Sequence, residues 1–238
     1  MVSKLATILC MVIISPQVLA VNETKPSIWK SEAELGYVST SGNTDTETLN
    51  AKAKAVNERE KWKHTFGAEV IRTSDKGTVT AQRYLVSGKT DYKLSDIAYV
   101  FGLLEYEDDR FSGFNNQTSL VAGYGRNLIK NDVVHLAAEL GAGARRNETN
   151  AGVTDIEGIL YGAIDMDWKI SKSANFNEKL TVESGSDATI TKSVSGLKVK
   201  INSKLASKIT YTIKHASKVP VGIDKTDKET AITLVYSF

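Results

Sequence analysis

Cysteine is almost missing from this chain of 238 residues: there is one, Cys10, alongside three histidines. That excludes a disulfide scaffold and a cysteine-framed zinc site. Proline occurs three times, at Pro16, Pro26 and Pro220, so between 27 and 219 every residue can donate a backbone hydrogen bond to a neighbouring strand. No charge of one sign dominates. Thirty Lys and Arg stand against 28 Asp and Glu, a net charge of +2, which offers no basic surface for nucleic acid. After residue 20 no apolar run approaches the roughly 20 residues of a membrane helix, the longest strong one being Ile97 to Leu104. Yet 41% of the residues are hydrophobic and 24% charged, too apolar a balance for disorder.

The first 20 residues read as a leader. Lys4 supplies a positive start, Leu5 to Ile14 an apolar run of signal-peptide length, Pro16 a break, and Val18-Leu19-Ala20 small residues at the cleavage positions. Cleavage after Ala20 predicts an exported chain that begins at Val21 and has lost Cys10, as suits a bacterial envelope protein. A short segment, 21–28, then precedes a single domain, 29–238.

Along that domain the apolar residues recur at every second position. Trp62, His64, Phe66, Ala68 and Val70 alternate with Lys63, Thr65, Gly67 and Glu69; Leu49, Ala51, Ala53 and Ala55 alternate with Asn50, Lys52 and Lys54. A period of two is a strand with two different faces, and a helix would scatter the same residues around its whole circumference. The pattern repeats to the end of the chain and predicts an all-β antiparallel fold of about 12 strands. Each is about ten residues long, the ~9–11 that cross a bilayer when tilted. Short polar connections around Glu58–Glu60, Leu94–Asp96, Lys130–Asp132, Ser171–Ser173 and Ser203-Lys204 alternate with longer ones around 39–46, 74–81, 108–116, 146–154 and 216–228. Short turns at one end and longer loops at the other predict a transmembrane β-barrel with periplasmic turns and extracellular loops.

Aromatic placement is an independent check. Trp29 and Trp62 start outward-running strands and Trp168 ends a returning one, so all three tryptophans fall at one interface, with Phe238 beside them. Tyr37, Tyr84 and Tyr106 fall at the other rim. Amphipathic rings gather where hydrocarbon meets headgroups. The final strand carries Ile232, Leu234, Tyr236 and Phe238 at alternate positions, which resembles the C-terminal signal read by the outer-membrane barrel assembly machinery. Outer-membrane lipids and that machinery are the expected partners, and the outer membrane the expected location.

The stretch Leu35-Gly36-Tyr37-Val38-Ser39-Thr40-Ser41-Gly42-Asn43-Thr44-Asp45-Thr46 resembles the opening of the salt-induced outer membrane protein family, long catalogued as a domain of unknown function. Its most specific piece is Ser41-Gly42-Asn43-Thr44, in which Gly-Asn tolerates the positive φ of a tight reversal. The resemblance implies an outer-membrane barrel and brings no catalytic or ligand residues and no cofactor.

The inward positions are where function is expected. By parity they carry Glu32, Lys52, Lys54, Arg83, Lys89, Glu105, Glu139, Asp165 and Asp167, within a larger set in which acidic and basic groups balance. Some must pair between strands, which leaves a narrow interior of low selectivity; the expected role is structural or that of a narrow channel in envelope stress. One alternative is a lipid-modifying enzyme using His215 and Ser217, which share a strand face and resemble the centre of the His-x-Ser-Asn-Gly motif of outer-membrane phospholipases. Here Lys218 and Val219 replace the Asn and Gly, and a His–Ser pair still needs an orienting group. A soluble periplasmic β-protein is the other alternative, opposed by the aromatic rims and by Phe238.

Overall fold

A computed structural model describes residues 29–40, 46–109, 114–149, 152–219 and 222–238. The expected signal peptide, the segment 21–28 and the Ser41-Gly42-Asn43-Thr44 turn lie outside the described residues. Twelve strands follow one another: β1 (Trp29–Thr40), β2 (Thr46–Glu58), β3 (Trp62–Asp75), β4 (Thr78–Lys93), β5 (Ala98–Asp109), β6 (Phe114–Lys130), β7 (Val134–Thr149), β8 (Thr154–Lys169), β9 (Ala174–Gly185), β10 (Thr189–Lys200), β11 (Leu205–Ala216) and β12 (Thr226–Ser237). Each pairs antiparallel with the next, and β12 pairs with β1, so the sheet is a closed barrel. Closure matters in hydrocarbon, where an unpaired sheet edge has no water to satisfy it.

The burial of a water-soluble domain is inverted. Outward residues are large and apolar, with Leu140 74% exposed, while Arg145 at 1% is among the most buried side chains. Burial of charge and exposure of leucine are the informative departures from ordinary globular packing. They argue against a soluble sandwich and follow from the alternation: odd positions of β2 and even positions of β3 face out, their neighbours in.

One end of the barrel carries Trp29, the last strand's Ser237 and the turns 59–61, 94–97, 131–133, 170–173 and 201–204; it is called here the terminal end, and the opposite one the loop end. The connection expected as a longer loop at 74–81 is a two-residue turn, Lys76-Gly77, with φ of 48° and 78°. Positive φ at both central residues is the type I′ hairpin that matches strand twist. The sequence there looks loop-like because β3 and β4 run on past the apolar band, where both faces are wet and alternation is not required. Strands β6, β7 and β8, at 17, 16 and 16 residues, project in the same way. The longest connection is 217–225, between β11 and β12.

The β1–β12 seam differs from the others. Only four residue pairs hold it, Glu32↔Ser237 to Leu35↔Leu234, whereas β11 and β12 pair from Leu205↔Tyr236 to His215↔Thr226. Below those four pairs Ser31 and Phe238 exchange backbone hydrogen bonds, each of 2.9 Å.

Candidate functional site: the barrel lumen

Inward charges assemble into networks, most of them reaching beyond adjacent strands. Toward the loop end, Arg83 of β4 bonds Glu69 of β3 at 2.5 Å and Glu229 of β12 at 2.9 Å, and Lys52 of β2 joins at Glu69 at 3.1 Å. Arg145 of β7 donates to Glu157 of β8 at 2.6 Å, to Glu183 of β9 at 3.4 Å and to the Ala188 carbonyl at 2.7 Å. Lys214 of β11 bonds Glu107 of β5. In a closed ring of twelve, β5 and β11 are diametrically opposed. A round twelve-strand barrel with strands about 4.8 Å apart and tilted by about 40° has a backbone diameter of about 24 Å, whereas extended Lys and Glu bonded tip to tip span about 14 Å. The lumen at that level is therefore oval, with its short axis bridged by this pair.

Toward the terminal end, Lys89 of β4 bonds Asp91 at 3.2 Å and also Glu139 of β7, whose Oε1 accepts the Tyr99 hydroxyl at 2.7 Å. The Lys89 ammonium also lies over the rings of Tyr99 and Phe101, 5.3 and 4.9 Å from their centroids, within cation–π range. Phe101, Leu103, Val121, Ile159, Tyr161 and Ala163 form an apolar cluster on the β5–β8 wall, with Phe101 and Tyr161 rings 5.8 Å apart. Tyr99 and Phe101 face Gly125 and Gly123 across the β5–β6 ladder. A Cβ on Gly125 would lie 2.3 Å from the Tyr99 ring, so this close approach requires glycine. Glu32 pairs with Lys198 at 2.7 Å and Glu34 with Lys208 at 2.8 Å, tying β1 to β10 and β11.

Of the nine inward candidates, Glu32, Lys52, Arg83, Lys89 and Glu139 sit in these ion pairs. Lys54 lies within electrostatic reach of Asp165, and Asp167 accepts a hydrogen bond from Asn175 at 2.8 Å. Glu105 is half-buried on the inner row of β5 and forms no ion pair among the described residues. Parity also placed Lys208 and Lys214 inward, but nothing local in the sequence names Glu107, Glu157 or Glu229 as partners. Burial of such pairs requires partners, because desolvation of a lone charge costs several kcal/mol.

The three tryptophans all face outward at the terminal end. Trp62 meets Tyr92 edge-on at 4.8 Å, and Phe238 stacks on Tyr236 at 5.8 Å. His215 and Ser217 are not brought together as a catalytic pair: His215 Nδ1 bonds the Thr226 hydroxyl at 2.8 Å, and Ser217 Oγ accepts the Thr189 N–H at 2.9 Å. Among the described residues no group of three His, Cys, Asp or Glu is placed to hold a metal.

An apolar exterior, aromatic rims and a charged, bridged interior on twelve antiparallel strands define an outer-membrane type of β-barrel. The NanC porin shares the fold at a TM-score of 0.56, with 12% identity, over 87% of this chain and 98% of that one. An outer membrane channel from Pseudomonas putida F1 shares it at 0.52, with 9% identity, over 88% and 95%. Residues 33–238 match the family described as "Protein of unknown function, DUF481", and the chain belongs to that family. A relative from Escherichia coli (strain K12), described as "Uncharacterized protein YdiY", is 27% identical over 210 residues, 88% of this chain and 83% of its own.

Proposed function

We propose that the protein is an integral outer-membrane barrel, with its terminal end in the periplasm, that serves as a narrow pore of low selectivity for ions and small polar solutes. The Lys214–Glu107 pair across the short axis of the lumen carries this reading, because it leaves a constricted path lined by both signs of charge. Paired charges balance the field along a pore, so neither cations nor anions are strongly favoured. Export rests on residues 1–20 and on recognition of Ile232, Leu234, Tyr236 and Phe238 by the assembly machinery. A link of its expression to salt or envelope stress is part of the same proposal and rests on the resemblance of the Leu35–Thr46 stretch.

The test is single-channel recording in planar bilayers. The wild-type barrel should show small conductance steps, and a Lys214→Ala, Glu107→Ala variant distinctly larger ones. Neutralising Lys52, Lys54 and Lys89 together should move the reversal potential under a salt gradient toward cation preference. No conductance from any of these proteins would overturn the pore and leave a structural role.

A further inference from the structure

On the outside of the barrel, at the terminal end, β1, β2 and β3 frame a groove of about 530 Å³ lined by Trp29, Asn57, Arg59, Trp62, His64 and Phe66. Register explains the hollow. Trp29, Asn57 and His64 are successive partners across the three strands, so a short amide stands between two large rings. Trp29 stacks on Phe66 at 6.2 Å and Trp62 on His64 at 6.0 Å, which builds the walls. The His64 ring is fixed by its Nδ1 contact with the Thr90 hydroxyl at 3.0 Å.

Two polar groups in this apolar frame lack partners. Asn57 is only 4% exposed, yet its amide makes no hydrogen bond among the described residues. Arg59 forms no ion pair among them either, since neighbouring Glu58 is held by Lys93 at 2.6 Å. Arg59 is the charged residue that lines the groove, whereas Lys30, Glu58 and Lys93 belong by parity to the inward rows.

We propose that this groove binds one anionic glycerophospholipid of the surrounding leaflet. The Arg59 guanidinium takes the phosphate in its fork, the Asn57 amide bonds the glycerol oxygens, and the rings of Trp29, Trp62 and Phe66 cover the first methylenes. Free phosphate would leave those walls unused. A zwitterionic headgroup would bring its ammonium against Arg59. The proposal rests on the membrane placement given above.

Native mass spectrometry of the full-length barrel, released from nanodiscs of equal phosphatidylglycerol and phosphatidylethanolamine, tests it. One phosphatidylglycerol should be retained, in about fivefold excess over phosphatidylethanolamine, the factor expected for one basic side chain at a membrane surface. Arg59→Gln should abolish the preference, and Asn57→Leu should lower retention of both lipids. Equal retention by the wild type, an unchanged pattern in both variants, or displacement by inorganic phosphate would overturn the lipid site. Heat-modifiable mobility in SDS confirms that each variant is a folded barrel. A wild type that fails to enter nanodiscs would refute the membrane placement itself.

Discussion

Replacing Arg145 with methionine tests the interior directly. The guanidinium is 1% exposed and bonds Glu157 twice, at 3.2 and 2.6 Å, besides Glu183 and the Ala188 carbonyl. Without it, Glu157 keeps among the described residues the Asp187 N–H at 2.9 Å and the Asn147 amide at 3.3 Å. Each charge-assisted bond is worth about 1.5–3 kcal/mol, but the bonds share one acceptor and do not add. The two remaining donors limit the loss, so removal of one partner of this buried pair should cost about 3–5 kcal/mol. Arg145→Lys keeps the charge without the fork and should fall between. The pair Arg145→Met with Glu157→Leu should lose well under the sum of its single variants, because Glu157 is then not stranded and the loss of the Glu183 contact is counted once. The assay is urea unfolding in lipid vesicles at neutral pH, followed by tryptophan fluorescence. A loss below about 1 kcal/mol for Arg145→Met, or single effects that add within about 0.5 kcal/mol, would refute the argument.

Leu140→Arg places a charge on the lipid face and should cost about 2–4 kcal/mol if that position is near the midplane, measured by the same unfolding; a cost near zero would mean that Leu140 does not meet lipid. Gly125→Ala forces the Tyr99 ring aside and should lower stability, whereas the same change in a Tyr99→Ala background should be almost neutral; equal effects in the two backgrounds would remove the steric reason for that glycine. Loss of Phe238 should reduce heat-modifiable barrel in cells far more than Phe238→Tyr, and equal amounts would show that the terminal ring is not read during assembly.

Much of this architecture is written in the order of residues. Period-two alternation fixes which side of β3 or β7 meets lipid, because the bilayer and the lumen demand opposite chemistry at neighbouring positions. It also places the tryptophans at one rim. The hairpin at Lys76-Gly77 escapes such reading, since strand that extends into water on both faces has no need to alternate and resembles a loop. Partner choice inside the lumen escapes it for another reason. Parity sends Lys214 and Glu107 inward, but whether they meet depends on stagger and on how far the cross-section departs from a circle, which no short stretch encodes. The outer groove around Asn57 arises likewise from register between three strands, visible locally only as a small polar residue where the rim has rings elsewhere.

The short clasp between β1 and β12 has a topological consequence. Ser31 and Phe238 are hydrogen-bonded neighbours, so a linker of a few residues from Phe238 could reach Trp29, where β1 begins, and the chain could be reopened within 217–225. In that circular permutant the four-pair seam becomes an ordinary hairpin, and the β11–β12 ladder, from Leu205↔Tyr236 to His215↔Thr226, becomes the new closure. The ring of strands, its lumen and its lipid face are unchanged, while Ile232, Leu234, Tyr236 and Phe238 move from a chain end to the interior of a hairpin. Refolded into vesicles, such a protein needs no cellular signal; made in cells, it should fail to assemble if the proposed recognition of those four residues holds. The contrast between the two separates what holds the barrel together from what delivers it.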